Sequence, residues 1–222
     1  MPTRNRFLDS DGDRLNAIFL LATLKRKRSG QEFSHTETLA EVVIECLRRY
    51  NVKSEIVRLV EYDIPPGTES NMGKGDDWPK ILTKILASDI IVFATPIWWG
   101  NQSSLMQRTI ERLDALHDEL LETGKSRLTN KVGGIVITGA EDGEQHITGN
   151  IANFLLNMGV LVPPHCAVSY QGSYARVTRK SLARKFRGTK YVANAAEKMA
   201  RNIAFFSRLL RENRIPAEGG KE

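Results

Sequence analysis

The sequence predicts an α/β fold in which helices cover both faces of a parallel sheet. Strand-length apolar segments alternate along the chain with amphipathic segments of helical period. Residues 15–22 are apolar on both faces, as expected of a central parallel strand. The chain has 222 residues, 41% hydrophobic and 26% charged, so one sizeable core can be buried.

Five strands and five helices alternate in this pattern. We predict the strands at residues 15–22, 52–62, 89–95, 131–140 and 160–168. We predict the helices at residues 34–50, 78–88, 102–122, 147–159 and 190–213. Ser34 and Glu37 have the spacing of a capping box, residues 52–62 are rich in β-branched side chains, and Gly159 ends the fourth helix. One domain therefore spans residues 15–213, between flexible tails at 1–14 and 214–222.

The strand order follows from the first loop. Right-handed crossovers leave two orders with precedent for such a chain, the flavodoxin-like order 2-1-3-4-5 and half of a dinucleotide-binding fold. A dinucleotide fingerprint requires G-x-G-x-x-G directly after the first strand, but this loop contains only Gly30. The sequence thus predicts a flavodoxin-like three-layer sandwich with a five-stranded parallel sheet in the order 2-1-3-4-5.

The first loop and the start of the next helix have the composition of a phosphate site. The residues concerned are Thr23, Lys25, Ser34, His35 and Thr36. Hydroxyl groups, a lysine and the positive end of a helix dipole suit a terminal phosphate. Helix capping by Ser34 alone is the alternative explanation.

The exit of the third strand predicts a second contact to the same ligand. In an open α/β sheet, ligands bind beyond the carboxyl ends of the strands, at the switch point between the first and third. The predicted contact residues are Pro96, Ile97, Trp98, Trp99, Gly100 and Asn101. The backbone here could bind the edge of a planar heteroaromatic ring, and the tryptophans offer flat apolar surface. The alternative is that one tryptophan packs against the core or a partner subunit.

The loop after the fourth strand ends at the same edge of the sheet. Its residues Gly139, Ala140, Glu141, Asp142 and Gly143 are predicted to border the other side of the ring. The alternative is an ordinary turn before a helix that Thr148 caps.

Net charge and cysteine content limit which partners, metals and cellular locations we expect. The net charge is +6, with basic clusters at residues 25–28 and 176–190, which favours anionic partners. The second cluster has no RNA-binding signature, so we expect no nucleic-acid partner. Cys46 and Cys166 lack metal-ligand spacing, and we expect no metal. With neither a signal-peptide core nor a membrane-spanning run, we expect a cytoplasmic protein without a membrane partner.

Several of these segments together resemble the NADPH-dependent FMN reductase family over residues 15–170. The most specific element is Thr95-Pro96-Ile97-Trp98-Trp99-Gly100, followed by a helix that carries Glu111-Arg112. The chain departs from the family pattern at Gln107, where a lysine is common, and at Ala22-Thr23-Leu24-Lys25, where Gly-Ser is usual.

The resemblance implies bound FMN and hydride transfer from NADPH (or NADH) to the flavin N5. A small-molecule acceptor such as a quinone or a flavin would then be reduced. The cofactor carries this chemistry, so no catalytic side chain is predicted. The resemblance also implies a homodimer or homotetramer. The alternative function is a non-catalytic flavodoxin-like electron carrier or a flavin-binding regulator, although flavodoxins proper tend to be acidic.

Overall fold

Among the residues that the structure describes, five strands form a central parallel sheet, and one of them continues into a two-stranded antiparallel hairpin. This computed structural model describes residues 14–27, 33–172 and 177–216. The predicted tails lie outside the described residues except at 14 and 214–216. The strands are β1 (Leu15–Leu21), β2 (Val52–Arg58), β3 (Ile90–Trp98), β4 (Asn101–Gln102), β5 (Val132–Gly139) and β6 (Ala167–Gln171).

The strand order confirms the predicted fold. Hydrogen-bonded neighbours run β2-β1-β3-β5-β6, and all four pairings are parallel. Without the short hairpin strand β4, the order is 2-1-3-4-5 along the chain. The direction of strand addition reverses between β1 and β3, which makes their carboxyl ends the switch point of the sheet.

In the described part of the chain, six α-helices cover the two faces of the sheet. They are α1 (His35–Arg48), α2 (Trp78–Ala87), α3 (Ser104–Thr123), α4 (Glu144–Asn157), α5 (Arg179–Gly188) and α6 (Lys190–Glu212). Helices α1, α5 and α6 bury Leu39, Leu182 and Ala196 in one core, against one face of the sheet. Helices α2, α3 and α4 bury their apolar residues in the other. The result is the predicted three-layer sandwich.

The third strand is longer than predicted, and the last one is displaced. Strand β3 continues through Pro96 to Trp98. Proline is tolerated there because Ala94 is the last residue that pairs with β1, so no neighbour on that side requires the missing N–H. The last strand was predicted at 160–168, but β6 spans Ala167–Gln171. Pro163 and Pro164 cannot donate to a ladder, and only Leu161 of the earlier segment forms an isolated bridge, to Val132.

Helix α5 was not predicted, because it is rich in basic residues and only two of its side chains form the apolar face. The basic run at 176–190 was interpreted as a cluster that favours anionic partners, and no helix was predicted there. The structure instead places a capping box at Thr178 and Ser181. Leu182 and Phe186, one helical turn apart, are fully buried. Arg176 lies outside the described residues.

Candidate functional site

A cleft of about 210 Å³ lies at the carboxyl edge of the sheet, at the switch point between β1 and β3. Ten predicted site residues line it: Thr23, Lys25, Ser34, His35, Thr36, Pro96, Ile97, Trp98, Gly139 and Ala140. Two further lining residues were not predicted, Leu24 and Thr138. Six predicted residues do not line this cleft: Trp99, Gly100, Asn101, Glu141, Asp142 and Gly143.

The hydroxyl groups at the start of α1 are ordered by bonds inside the protein. Ser34 is the N-cap, and its Oγ accepts from the N–H of Glu37 at 3.2 Å. The Oγ1 atoms of Thr36 and Thr138 are 2.7 Å apart, and both side chains are buried. A hydroxyl has one donor and two acceptor positions, so the threonine pair uses one of its two O–H groups internally. The cap bond to Ser34 likewise uses only an acceptor position. Helix capping and anion binding by Ser34 are therefore compatible.

A buried arginine, Arg58, stabilises the loop after β1 by a hydrogen bond. Thr23 Oγ1 accepts from the N–H of Lys25 at 3.3 Å. The carbonyl of Lys25 accepts from Arg58 at the end of β2, and Arg58 also forms an ion pair with Glu37 in the first turn of α1. Both Arg58 and Glu37 are buried. Neither was among the predicted site residues, because nothing in the local sequence around Arg58 indicates a contact with Glu37 or with the loop after β1.

The tryptophans lie on a tight hairpin. Trp98 pairs with Asn101 across a two-residue turn in which Trp99 has φ 50° and Gly100 has φ 77°. Positive φ at both central residues is the signature of a type I′ turn. Trp98 is 51% exposed and lines the cleft, whereas Trp99 is 86% exposed and does not. Trp98 and Asn101 pair with each other across this turn, and neither Trp99 nor Gly100 lines the cleft.

The loop between β5 and α4 braces this hairpin. A Cβ at Gly143 would lie 2.7 Å from the Cα and carbonyl oxygen of Gly100, so only glycine allows the two backbones to approach. His146 Nε2 lies 3.1 Å from Asn101 Oδ1. Glu141 and Asp142 are exposed. This loop thus positions the hairpin, while its first two residues, Gly139 and Ala140, line the cleft.

Ser103 connects the two strand ends at the switch point. Its Oγ donates to the carbonyl of Ala22 at 2.7 Å, and its N–H donates to Thr95 Oγ1 at 3.0 Å. The side chain is fully buried and caps α3. Ser103 was not predicted; a serine immediately before an apolar helical stripe is a signal for a helix cap but carries none for the bond to β1.

Arg112 anchors the segment before α2. Its guanidinium forms a fully buried ion pair with Asp76 at 2.6 Å and donates to the carbonyls of Pro65 and Glu69. It also lies 5.6 Å from the centroid of the Trp78 ring. Burial acts to raise the pKa of Asp76, but the bond from Arg112 and two backbone N–H groups outweigh it and lower the pKa. The Glu111-Arg112 motif of the sequence therefore includes a structural anchor.

The cysteines do not resemble reactive thiols. Burial is the largest influence on both, and it raises the pKa of Cys46 and of Cys166. Among residues 14–27, 33–172 and 177–216, no group of three or more His, Cys, Asp and Glu side chains could hold a metal ion.

Comparison with known families agrees with the geometry of this cleft. The family model of NADPH-dependent FMN reductases matches residues 20–174. The chain belongs to the NADPH-dependent FMN reductase family. The family predicted from the sequence is thereby confirmed, and FMN and a nicotinamide nucleotide, which the resemblance implied, are the two compounds in the family's description.

Two proteins similar to this FMN reductase family member are named for other activities. It is 37% identical over 164 residues to the divalent metal cation transporter MntH of Mycobacterium bovis, covering 72% of this chain and 24% of that protein. It is 32% identical over 167 residues to the 8-demethyl-8-aminoriboflavin-5'-phosphate synthase of Streptomyces davaonensis, covering 71% of this chain and 64% of that enzyme. The chain thus spans less than two thirds of either relative. No helix in its described part is long and apolar enough to cross a bilayer.

A solved structure extends the similarity to most of the fold. The crystal structure of RosB with bound 8-demethyl-8-formylriboflavin-5'-phosphate superposes with a TM-score of 0.75 at 28% identity. The superposition covers 90% of this chain and 82% of RosB. That structure holds a flavin phosphate, the class of ligand that the sequence predicted for this cleft.

Proposed function

We propose that this protein is an oxidoreductase that binds FMN at the carboxyl edge of its sheet and uses NAD(P)H to reduce a quinone, a flavin or a similar acceptor. One observation carries the proposal. The cleft at the switch point joins a hydroxyl-lined helix N-terminus to an apolar wall formed by Pro96, Ile97 and Trp98. These two surfaces match the two ends of FMN, a phosphate and a flat ring.

The phosphate end fits the residues present. The first-turn N–H groups of a helix have no acceptor within that helix, and its dipole favours an anion. Ser34 and the Thr36–Thr138 pair each retain a hydroxyl hydrogen beyond their internal bonds. These groups would hold the phosphate, with Thr23 and Lys25 on the neighbouring loop.

The ring end fits as well. Trp98 supplies flat apolar surface, and the turn that positions it depends on Gly100, whose positive φ favours glycine. At about 210 Å³, the cleft is smaller than the ~300–1,000 Å³ of typical closed ligand sites. A flavin held there would stay accessible on one side, as exchange with a nucleotide and an acceptor requires.

When bound, FMN would supply the redox chemistry by accepting hydride from NAD(P)H and passing electrons to the acceptor. The residues of this chain would bind the phosphate, orient the ring and leave it open to both partners. No side-chain acid or base is assigned.

The test is an anaerobic titration of the purified, FMN-loaded protein with NADPH and NADH, followed by visible absorbance. We expect the absorbance of oxidised flavin to disappear and to return when a quinone is added, with repeated turnover. Bleaching without turnover on any acceptor would favour the electron carrier or regulator. A protein that binds no flavin would contradict the proposal.

A second candidate function is chemical modification of a flavin phosphate. It is supported by the similarity to the synthase and to RosB, which exceeds what the fold alone requires. In that case a flavin phosphate is substrate rather than resident cofactor. Mass spectrometry of the flavin recovered after incubation separates the two, because an oxidoreductase returns FMN unaltered and a modifying enzyme returns a flavin of different mass.

A further inference from the structure

A buried ion pair lies directly beneath the cofactor cleft. Arg58, the last residue of β2, donates from Nη2 to Glu37 in the first turn of α1. The side chains are 8% and 7% exposed. Arg58 Nη1 donates to the carbonyl of Lys25, and its Nε has no partner in the described structure.

The same region anchors the rest of the described loop. The N–H of Lys27 donates to Glu61 at 2.7 Å, and Lys27 Nζ lies 3.9 Å from Glu37. Lys27 is 71% exposed, so its charge is solvated and screened. Arg58 is the buried cation on Glu37 and therefore the main source of compensation for that carboxylate.

Glu37 creates an electrostatic problem for an anionic ligand. A carboxylate in the first turn of a helix uses the same positive dipole end that would attract a phosphate. A phosphate monoester carries about −1.5 to −2 charges at pH 7. Two like charges close together in a partly buried site repel each other strongly. Without compensation, Glu37 would oppose a phosphate at Ser34 and Thr36.

We propose that Arg58 is the positioning residue that makes the cleft selective for a phosphorylated flavin, by neutralising Glu37 and holding the Lys25 carbonyl. The inference rests on the proposed function, because it assumes that FMN binds with its phosphate at the start of α1. Arg58 itself does not line the cleft. It acts through the charge of Glu37 and the loop.

The readout is the selectivity ratio, the Kd for riboflavin divided by the Kd for FMN. Both constants are measured by flavin fluorescence on the full chain after bound flavin is removed by dialysis. Arg58→Met should lower this ratio about tenfold or more, and each factor of ten corresponds to about 1.4 kcal/mol of binding free energy. The change should come from weaker FMN binding, so the Kd for riboflavin should be nearly unchanged. Arg58→Lys keeps the charge and should keep most of the ratio.

The direction in which the selectivity ratio changes in variants of Glu37 distinguishes this electrostatic role of Arg58 from a purely structural one. Glu37→Gln removes the repulsive charge and leaves Arg58 as an unpaired cation, so its ratio should exceed that of the wild type. The double variant Glu37→Gln/Arg58→Met removes both charges and should return close to the wild-type ratio. The control is Arg49→Met, which deletes an exposed arginine–glutamate pair at the other end of α1 and should leave the ratio unchanged.

Several outcomes would overturn the inference. A wild-type ratio in Arg58→Met, or an equal loss of both flavins, would reduce Arg58 to a structural residue. If Arg58→Met does not fold, Glu37→Gln and the double variant are compared, since they differ only at Arg58. Equal selectivity ratios for these two variants would also contradict the role proposed for Arg58. A wild-type protein that binds neither flavin contradicts the proposed function instead.

Discussion

The hydroxyl oxygens of Thr36 and Thr138 lie 2.7 Å apart, although 102 positions separate the two residues in the chain. Thr36 belongs to the first turn of α1, and Thr138 is the penultimate residue of β5. The bond therefore joins the proposed phosphate side of the cleft to the strand that ends beside the ring side.

We expect Ser34→Ala/Thr36→Ala to weaken FMN binding much more than riboflavin binding. The variant loses the hydroxyl donors nearest the proposed phosphate position. It also loses an N-cap, which costs about 1 kcal/mol of folding free energy. Thr178→Ala is the control, since it removes the side-chain cap of α5 and should leave flavin selectivity unchanged. FMN affinity equal to that of wild type would show that the phosphate binds elsewhere.

Gly100→Val should reduce FMN content more than Trp98→Phe. Gly100 has φ 77°, a conformation that β-branched residues resist, so valine would distort the hairpin. Phenylalanine keeps a flat apolar surface at Trp98 and loses only the indole N–H. The measurement is FMN per chain, with circular dichroism to verify folding. Gly149→Ala, where a Cβ meets nothing within 4 Å, is the matched glycine control. The reverse order would mean that side-chain stacking holds the ring.

Asp76→Asn should remove part of the acid sensitivity of folding. The pKa of Asp76 is lowered in the folded state, so its stabilisation is fully present above the unfolded pKa of about 3.9 and is lost as pH falls through the folded value. At neutral pH the variant leaves Arg112 buried without its partner, a loss of about 3–5 kcal/mol. Denaturant unfolding between neutral and acid pH measures both effects. Asp77→Asn removes a partly exposed carboxylate that pairs with the exposed Lys80, so it should cost much less stability, and an equal loss would contradict the assignment.

We expect the protein to assemble as a homodimer or homotetramer. On α3, the apolar residues Leu113 and Leu116 and the neighbouring Thr109 are buried within the chain and are not available to an interface. Among the described residues, the most exposed large apolar side chain is that of Trp99 on the hairpin, at 86%. Light scattering at micromolar concentration should give an even number of subunits, and Trp99→Ser should weaken the assembly more than Leu121→Ser on α3. A monomeric wild type would refute this expectation.

Neutralising the start of α5 should raise the KM for NADPH more than the KM for NADH. Lys180 is exposed, and Arg179 forms an exposed ion pair with Glu41. Their charge would favour the additional phosphate of NADPH. The experiment compares Arg179→Ala/Lys180→Ala with Arg184→Ala, one turn further along the helix. The same change for both nucleotides would indicate that these side chains only form a solvated face.

The elements that the sequence predicted well are those with a strong local pattern. Residues 15–22 and 131–140 are apolar on both faces and correspond to β1 and β5 within a residue or two. Ser34 was a recognisable cap because capping involves residues only three positions apart. The last strand was predicted in the wrong place, because the apolar residues around Pro163 and Pro164 resembled a strand that the two prolines cannot form. Helix α5 was not predicted, because its many basic residues outnumber the two apolar residues that it buries.

The sequence by itself determined the fold class, the strand order, the family and the edge of the sheet where the cleft lies. These depend on periodicity, loop composition and the rules of parallel sheets, which are all local or topological. Only the tertiary structure decided which residues face the cleft. It separated Trp98 from Trp99, brought Thr138 to Thr36, and placed Arg58 beneath Lys25. Such contacts join distant chain segments whose relative position depends on packing, so spacing along the chain carries no signal for them.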